Sequence, residues 1–289
     1  MQFGYISSHI VERLRARGWL DTLRYAVGRF QTVRRVRRQF KRMTLLVTAR
    51  SLTRAVQQPV HVEPFDPRHA LRALDAESVF TGLKLQPASL AALRGAAAAS
   101  TRRAHHGNRA ELTADELLRN AEAPEPMLMV DYVSPALQAL ALEVARDPLL
   151  LATVSRFLGG PPARIETRIN ESLVVRADTA YRESRFQTVM FHYDVHDFGF
   201  AYVFFYLTDT DADTGAHELM RGTHKGKWLR HLLQSARQED VEIYNCYGRD
   251  RAMVIEGPAG SGFLEDTSCF HRALVPRTGN RLALQIRYA

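Results

Sequence analysis
The feature that most limits what this chain can become is a change of character at Gly159-Gly160-Pro161-Pro162. Before it, apolar residues recur at three- and four-residue steps, the period of helices with one buried face. After it come short runs rich in Val, Ile, Phe, Tyr and Thr, punctuated by Gly, Asp and Asn. Strands are expected at 163–175, 186–193, 201–207, 218–220, 252–255, 262–264, 269–274 and 282–288, with a helical interlude over 227–237. Several strands at such short spacing suggest a barrel or sandwich. The expected class is α+β, helices first and an antiparallel β core after them. No internal repeat or low-complexity tract interrupts the pattern.

In the first half, helices are expected over 8–56, 68–80, 87–100, 113–122 and 134–157, with Pro59, Pro64 and Pro67 marking an irregular crossing. Residues 102–109 read as a polar loop; its His105-His106 pair has no partner ligand at helical or strand spacing and reads as surface. The domain organisation expected is a basic amphipathic extension over 1–58 and a second unit over 59–289, whose β core spans about 163–289.

Charge is unevenly spread. The net charge is +8, but residues 1–54 hold twelve Arg and Lys41 against Glu12 and Asp21, a net +11, leaving −3 for the rest. The basicity belongs to one segment and is no nucleic-acid signal. Along 8–56, Ile10, Leu14, Trp19, Leu23, Val27, Phe30, Val33, Val36 and Phe40 trace an apolar stripe with Arg on the other face. Two readings stay open: the stripe packs on the body beneath a solvated Arg face, or a basic surface meets an acidic partner such as an anionic membrane, an acidic carrier protein or a phosphorylated substrate. No run reaches the ~18 apolar residues of a membrane span. With only Cys246 and Cys269, and no basic-then-apolar signal order, a reducing, cytoplasmic setting is expected. Oligomeric state is not legible.

The chemistry centres on Phe191-His192-Tyr193-Asp194. In a strand, residues two apart share a face, so His192 and Asp194 can offer a nitrogen and a carboxylate to one point. A second histidine would complete a two-His, one-carboxylate facial triad, which suits non-haem iron(II) by leaving coordination positions open. A His-x-Asp alone arises by chance roughly 0.6 times in a chain of this composition. Context adds weight: a strongly apolar strand follows, His271 lies on a late strand, and Arg281 opens the last one, where it can grip a carboxylate bidentately.

Four blocks carry a resemblance. They are His192-Tyr-Asp194; Tyr206-Leu-Thr-Asp-Thr-Asp211 followed by Thr214-Gly-Ala-His-Glu-Leu-Met-Arg-Gly-Thr-His224; Gly257-Pro-Ala-Gly-Ser-Gly-Phe-Leu-Glu-Asp266 leading into Phe270-His271-Arg272; and Arg281 through Tyr288. In order and separation they resemble the phytanoyl-CoA dioxygenase family of Fe(II)/2-oxoglutarate oxygenases. Thr223 stands where that family often has Ser, and Ala216 where many members have Pro. The resemblance implies a double-stranded β-helix, or jelly roll, with a helical N-terminal half around it. It implies iron held by His192, Asp194 and His271, 2-oxoglutarate gripped by Arg281, and O2 as oxidant. Arg168, Asn170, Gln187 and Tyr202 are candidates for further cosubstrate contacts. The implied reaction is hydroxylation of a small molecule with release of succinate and CO2, since halogenases of this kind lack the carboxylate. The basic segment mildly favours an anionic or carrier-tethered substrate. A cupin-type metal enzyme that does not use 2-oxoglutarate stays open, as does a carrier-protein or membrane-surface binding protein acting through the basic helix.

Other residues take plainer readings. His196 reads as a solvent-facing loop histidine and His217 as structural. Thr223 is expected to cap the following helix, and Glu265-Asp266 to form a tight turn.

Overall fold
The computed structural model describes residues 18–19, 22–23, 25–48, 58–105, 111–185, 189–195 and 198–289. The helices are α1 Gln31–Thr48, α2 Pro67–Glu77, α3 Pro87–Ala98, α4 Ala114–Asn120, α5 Pro135–Ala145, α6 Pro148–Leu158, α7 Thr179–Arg185, α8 Leu229–Leu233 and α9 Asp240–Tyr247. The strands of the first half are β1 Val79–Lys84, β2 Thr101–Ala104, β3 Glu111–Leu112 and β4 Met129–Val133. Those of the second are β5 Ile165–Ser172, β6 Phe191–His192, β7 Ala201–Tyr206, β8 His217–Met220, β9 Arg237–Gln238, β10 Ala252–Ile255, β11 Ser261–Glu265, β12 His271–Ala273 and β13 Arg281–Tyr288.

The strands form two antiparallel sheets. The major sheet runs β1-β11-β7-β13-β5-β4-β2-β3 and the minor sheet β10-β8-β12-β6-β9. The second half supplies most of the strands expected of it, though the one expected over 186–193 is only Phe191–His192 among the described residues and β9 begins where the expected helical interlude ends. The first half holds a correction, because β1 to β4 add both flanks of the major sheet. Sequence period hid them: β2 is Thr-Arg-Arg-Ala, whose Arg102 lies over the Tyr132 ring at 5.2 Å in place of an apolar pair. It occupies part of what reads as loop. The expected single helix over 134–157 is two. Asp147 accepts from the Leu149 and Leu150 amides and Pro148 opens the new helix, so chain and cap both force a break. Gly159, at φ 80°, ends it.

Strand pleating sorts side chains into three apolar layers. Between the major sheet and α2, α3, α5 and α6 lies the largest, including Val203, Phe205, Leu284 and Ile286. Between the two sheets lie Tyr206, Leu219, Ile255, Phe263 and Ala283. Outside the minor sheet, Phe191, Met220 and Phe270 pack with Ile243 and Tyr247 of α9. Each fully buried Leu, Ile, Val or Phe contributes about 1.5–3 kcal/mol. Burying Phe191 and Phe270 on the outer layer obliges His192 and His271, one residue along, to face the space between the sheets.

The N-terminal helix reverses its expected orientation. Its arginines meet the body: Arg34 is buried and pairs with Asp266 at 2.8 Å, and Arg38 lies over the Phe157 ring at 4.8 Å. Val36, Phe40 and Met43 are exposed. Among the described residues no helix is long and apolar enough to cross a membrane.

Candidate metal centre
His192 and His271 meet because β6 and β12 pair in a register that sets them directly opposite one another. Their rings lie 4.3 Å apart between centroids. Asp194 follows two residues on, its amide held by the Thr267 carbonyl at 2.8 Å. Its Oδ2 stands 3.9 Å from His271 Nε2. One ligand atom from each of His192, Asp194 and His271 lies within 4.8 Å of the other two.

The two imidazoles are oriented by one device used twice. His192 Nδ1 is 2.9 Å from the Met190 carbonyl, and His271 Nδ1 is 3.1 Å from the Cys269 carbonyl. A carbonyl only accepts, so each Nδ1 carries a proton and each Nε2 is turned inward. Metal-binding histidines are commonly held this way. Burial, with the neighbouring His271 adding to it, lowers the His192 pKa to about 4 against the pull of Asp194. The ring is therefore a neutral imidazole at neutral pH, protonated on Nδ1 alone.

A cavity of about 170 Å³ opens beside these atoms. The minor sheet gives it His192, Asp194, His217, His271, Arg272 and Ala273; the major sheet gives Met129, Asn170, Tyr202, Phe204, Tyr206, Phe263, Arg281, Ala283 and Gln285. Arg281 is buried and donates to the Gly215 carbonyl and to Ser172 Oγ. Gly215 has φ 90°, a conformation that suits glycine and aims that carbonyl at the guanidinium. The Nε of Arg281 has no partner, and among the described residues no carboxylate pairs with it. Burial pulls its pKa below the usual arginine value, with only Tyr206 opposing.

The remaining expected residues divide. Asn170 and Tyr202 line the cavity. Burial raises the Tyr202 phenol well above its ordinary pKa, with the Asp194 charge adding to the shift. Arg168 does not line it. It shares the face of Asn170 but is exposed, and its strand partner Gln285 provides the wall there. Gln187 and His196 lie outside the described residues.

Sequence reasoning missed His217. Its ring stacks on His271 at 5.3 Å, nearly parallel, and its Nε2 stands 2.9 Å from Glu265 Oε2. Burial lowers the His217 pKa despite the pull of Glu265. Burial also opposes ionisation of Glu265, but His217 and the hydrogen-bond donors around it prevail and hold its pKa low. Glu265 ends its strand and Asp266 opens the expected turn, whose Cys269 amide donates to the Asp266 carbonyl at 3.0 Å; the two side chains face opposite ways, Glu265 to His217 and Asp266 to Arg34. The signal lay in β8, where His217 sits two residues from inward Leu219 and so shares its face. Thr223 caps no helix. It donates to the Met220 carbonyl and accepts from the Phe270 amide, fixing the residue before His271.

No protein-family model matches the sequence, and no curated relative matches it. Among solved structures, EvdO2 from Micromonospora carbonacea var. aurantiaca, complexed with 2-oxoglutarate, is similar over 80% of this chain and 93% of its own, at 15% identity and TM-score 0.50. The two share a fold. HygX from Streptomyces hygroscopicus, solved with nickel, 2-oxoglutarate and hygromycin B, is similar over 77% of this chain and 86% of its own, at 16% identity and TM-score 0.48. The two-sheet core is thus a jelly roll, with the donor atoms and Arg281 on walls of one cavity between its sheets.

Proposed function
We propose that this chain is an Fe(II)- and 2-oxoglutarate-dependent oxygenase, of the phytanoyl-CoA dioxygenase-like kind, that hydroxylates an unactivated carbon of a small molecule and releases succinate and CO2. One observation carries the reading: a buried guanidinium without a carboxylate lines the same cavity as two inward Nε2 atoms and a carboxylate. Burying an unpaired cation costs several kcal/mol, and a dicarboxylate bound there would offset that cost. The donor set fits iron(II), with two imidazoles and one carboxylate on adjoining strands. EvdO2, which shares the fold, binds 2-oxoglutarate.

In this reading His192, Asp194 and His271 hold the metal. Bound iron with 2-oxoglutarate supplies the oxidising power for a C–H bond; the protein supplies position. Arg281 grips the far carboxylate, its fork fixed by Gly215 and Ser172 so that little rotamer entropy is lost on binding. Phe204 and Phe263 stack at 4.8 Å on the cavity wall and keep water off that side. Asp194 keeps one position filled by protein, which favours hydroxylation over halogenation.

Succinate formation with Fe(II), 2-oxoglutarate and O2 tests the proposal. His192→Ala and Asp194→Ala should each abolish it while retaining the native circular dichroism spectrum. Undiminished succinate release in both variants sinks the assignment.

A further inference from the structure
The helix α1 is built inside out. At 100° per residue, Arg34, Arg38, Lys41 and Arg42 share one arc. That arc faces the body: Arg34 reaches Asp266, Lys41 donates to the Pro161 carbonyl at 3.0 Å and Arg42 to the Arg156 carbonyl at 2.8 Å. The opposite arc carries Val36, Phe40 and Met43, which are 64%, 67% and 64% exposed. Arg35 and Arg37 fall at the two borders of this stripe. Upstream, Trp19 and Leu23 are exposed as well. Arg29 donates to the Leu232 carbonyl at 2.7 Å, which ties the segment to α8, where Trp228, Leu229 and Leu233 are also more than half exposed.

We propose that this face docks on an anionic lipid surface. The stripe needs an apolar medium a few ångströms deep, and its borders carry Arg35, about half exposed and 4.0 Å from Asp75, and Arg37 over the Phe198 ring, in a segment of net +11 that attracts negative charge to the rim. A bilayer with acidic headgroups supplies both in one plane, and long Arg side chains can reach up to the headgroups while their stems stay apolar. A second copy of the chain fits worse. A twofold pairing would set this strongly basic segment against an equally basic one, which repels. The body also bears −3 against the segment's +11, so an anionic surface orients the molecule with α1 toward it. Because α1 is already folded and anchored by Arg34, docking incurs none of the helix-forming cost of a free amphipathic peptide. The inference is independent of the oxygenase reading.

The chain's two tryptophans, Trp19 and Trp228, both lie on the exposed apolar surface and report on it directly. The test is co-sedimentation of the full chain with vesicles of phosphatidylcholine and phosphatidylglycerol in roughly a 7:3 ratio, against pure phosphatidylcholine, with tryptophan emission recorded. Expected are binding to the acidic vesicles, a blue shift, and quenching by brominated lipid. The Val36→Asp/Phe40→Asp double variant should lose about tenfold or more in partitioning and keep the wild-type thermal melt. Failure of the wild-type chain to bind acidic vesicles, or equal binding by the folded double variant, overturns the proposal. So does a dimer in sedimentation equilibrium that the double variant dissociates while the wild-type chain ignores lipid. Should the double variant not fold, Phe40→Ser with the same readouts decides between these outcomes.

Discussion
Arg34 in the N-terminal helix and Arg281 in the last strand are both nearly removed from solvent, at 2% and 8% exposure, and they differ in what meets them. Arg34 finds Asp266 at 2.8 Å and the Phe200 ring at 4.7 Å. Arg281 finds a backbone carbonyl, a serine hydroxyl and a cavity. The desolvation cost is similar in kind, so the contrast separates a charge balanced within the fold from one left for an outside anion. The first serves architecture: Asp266 also accepts from Ser268 Oγ at 2.6 Å, in the turn that leads to His271. The second is the receptor that the proposed function needs.

The largest effect expected from breaking this contrast is on the Arg34 side. Arg34→Ala strands the Asp266 carboxylate in the interior and should cost about 3–5 kcal/mol in urea unfolding. Replacing both members, Arg34→Met with Asp266→Leu, should recover most of it. A single variant within about 1 kcal/mol of wild type would show that the pair balances no charge worth counting.

Acid should disturb the same region in two windows. Burial lowers the His224 pKa to about 4, against the attraction of Asp266. The unfolded chain therefore takes up a proton near pH 6.5, before the folded one does, and stability falls as pH drops from 6.5 toward 4. The full span is about 3 kcal/mol. Asp266 is the opposite case. Burial raises its pKa, but Arg34 and the other cations outweigh burial and depress it, so its contribution is present above pH 3.8 and lost only below that. His224→Gln should remove one share of the upper slope in urea melts of the metal-free chain, leaving the shares of His192 and His217 and the lower window in place. An unchanged slope between pH 6.5 and 4 would remove His224 as a cause.

Arg281 should respond in the reverse sense. Arg281→Met should weaken 2-oxoglutarate binding by about 100-fold, or about 2.7 kcal/mol, the scale of a bidentate charge-assisted contact. Stability should move by less than about 1 kcal/mol, since an unpaired buried charge is removed along with its two hydrogen bonds. Equilibrium dialysis and thermal melts check the pair of outcomes. Loss of stability with undiminished affinity would make Arg281 a structural arginine like Arg34.

The second half of the chain was legible because alternation and turn chemistry act locally: β10 falls at the expected 252–255, and β13 within a residue of its expected start. The face of a strand residue follows from parity, so the convergence of His192, Asp194 and His271 on one cavity was readable from their positions. His217 was not, since parity puts it inward but only the β8–β12 pairing brings its ring against His271. The first half was misread where tertiary partners override pattern. β2 and β4 take their strand form from neighbours in the sheet. The orientation of α1 is set by Asp266, an acid more than two hundred residues away. No helical period in residues 31–48 encodes that distant carboxylate, so the sequence left the orientation of this helix open between two readings.

The smallest expected effect tests that reversal most directly. If the arginine face of α1 is the docked one, Phe40 contributes little to folding despite its size, because it stays 67% exposed in the folded chain. Phe40→Ser should then change unfolding free energy by no more than about 0.5 kcal/mol, against a loss several-fold larger for Arg34→Ala less than two helical turns away. A buried phenylalanine truncated in the same way loses about 3–5 kcal/mol, so the two orientations of α1 predict values far outside experimental error of each other. A cost of that size at Phe40 would mean the apolar stripe packs inward. It would also leave Arg34 without its place beside Asp266, since one helix cannot present both arcs to the body at once.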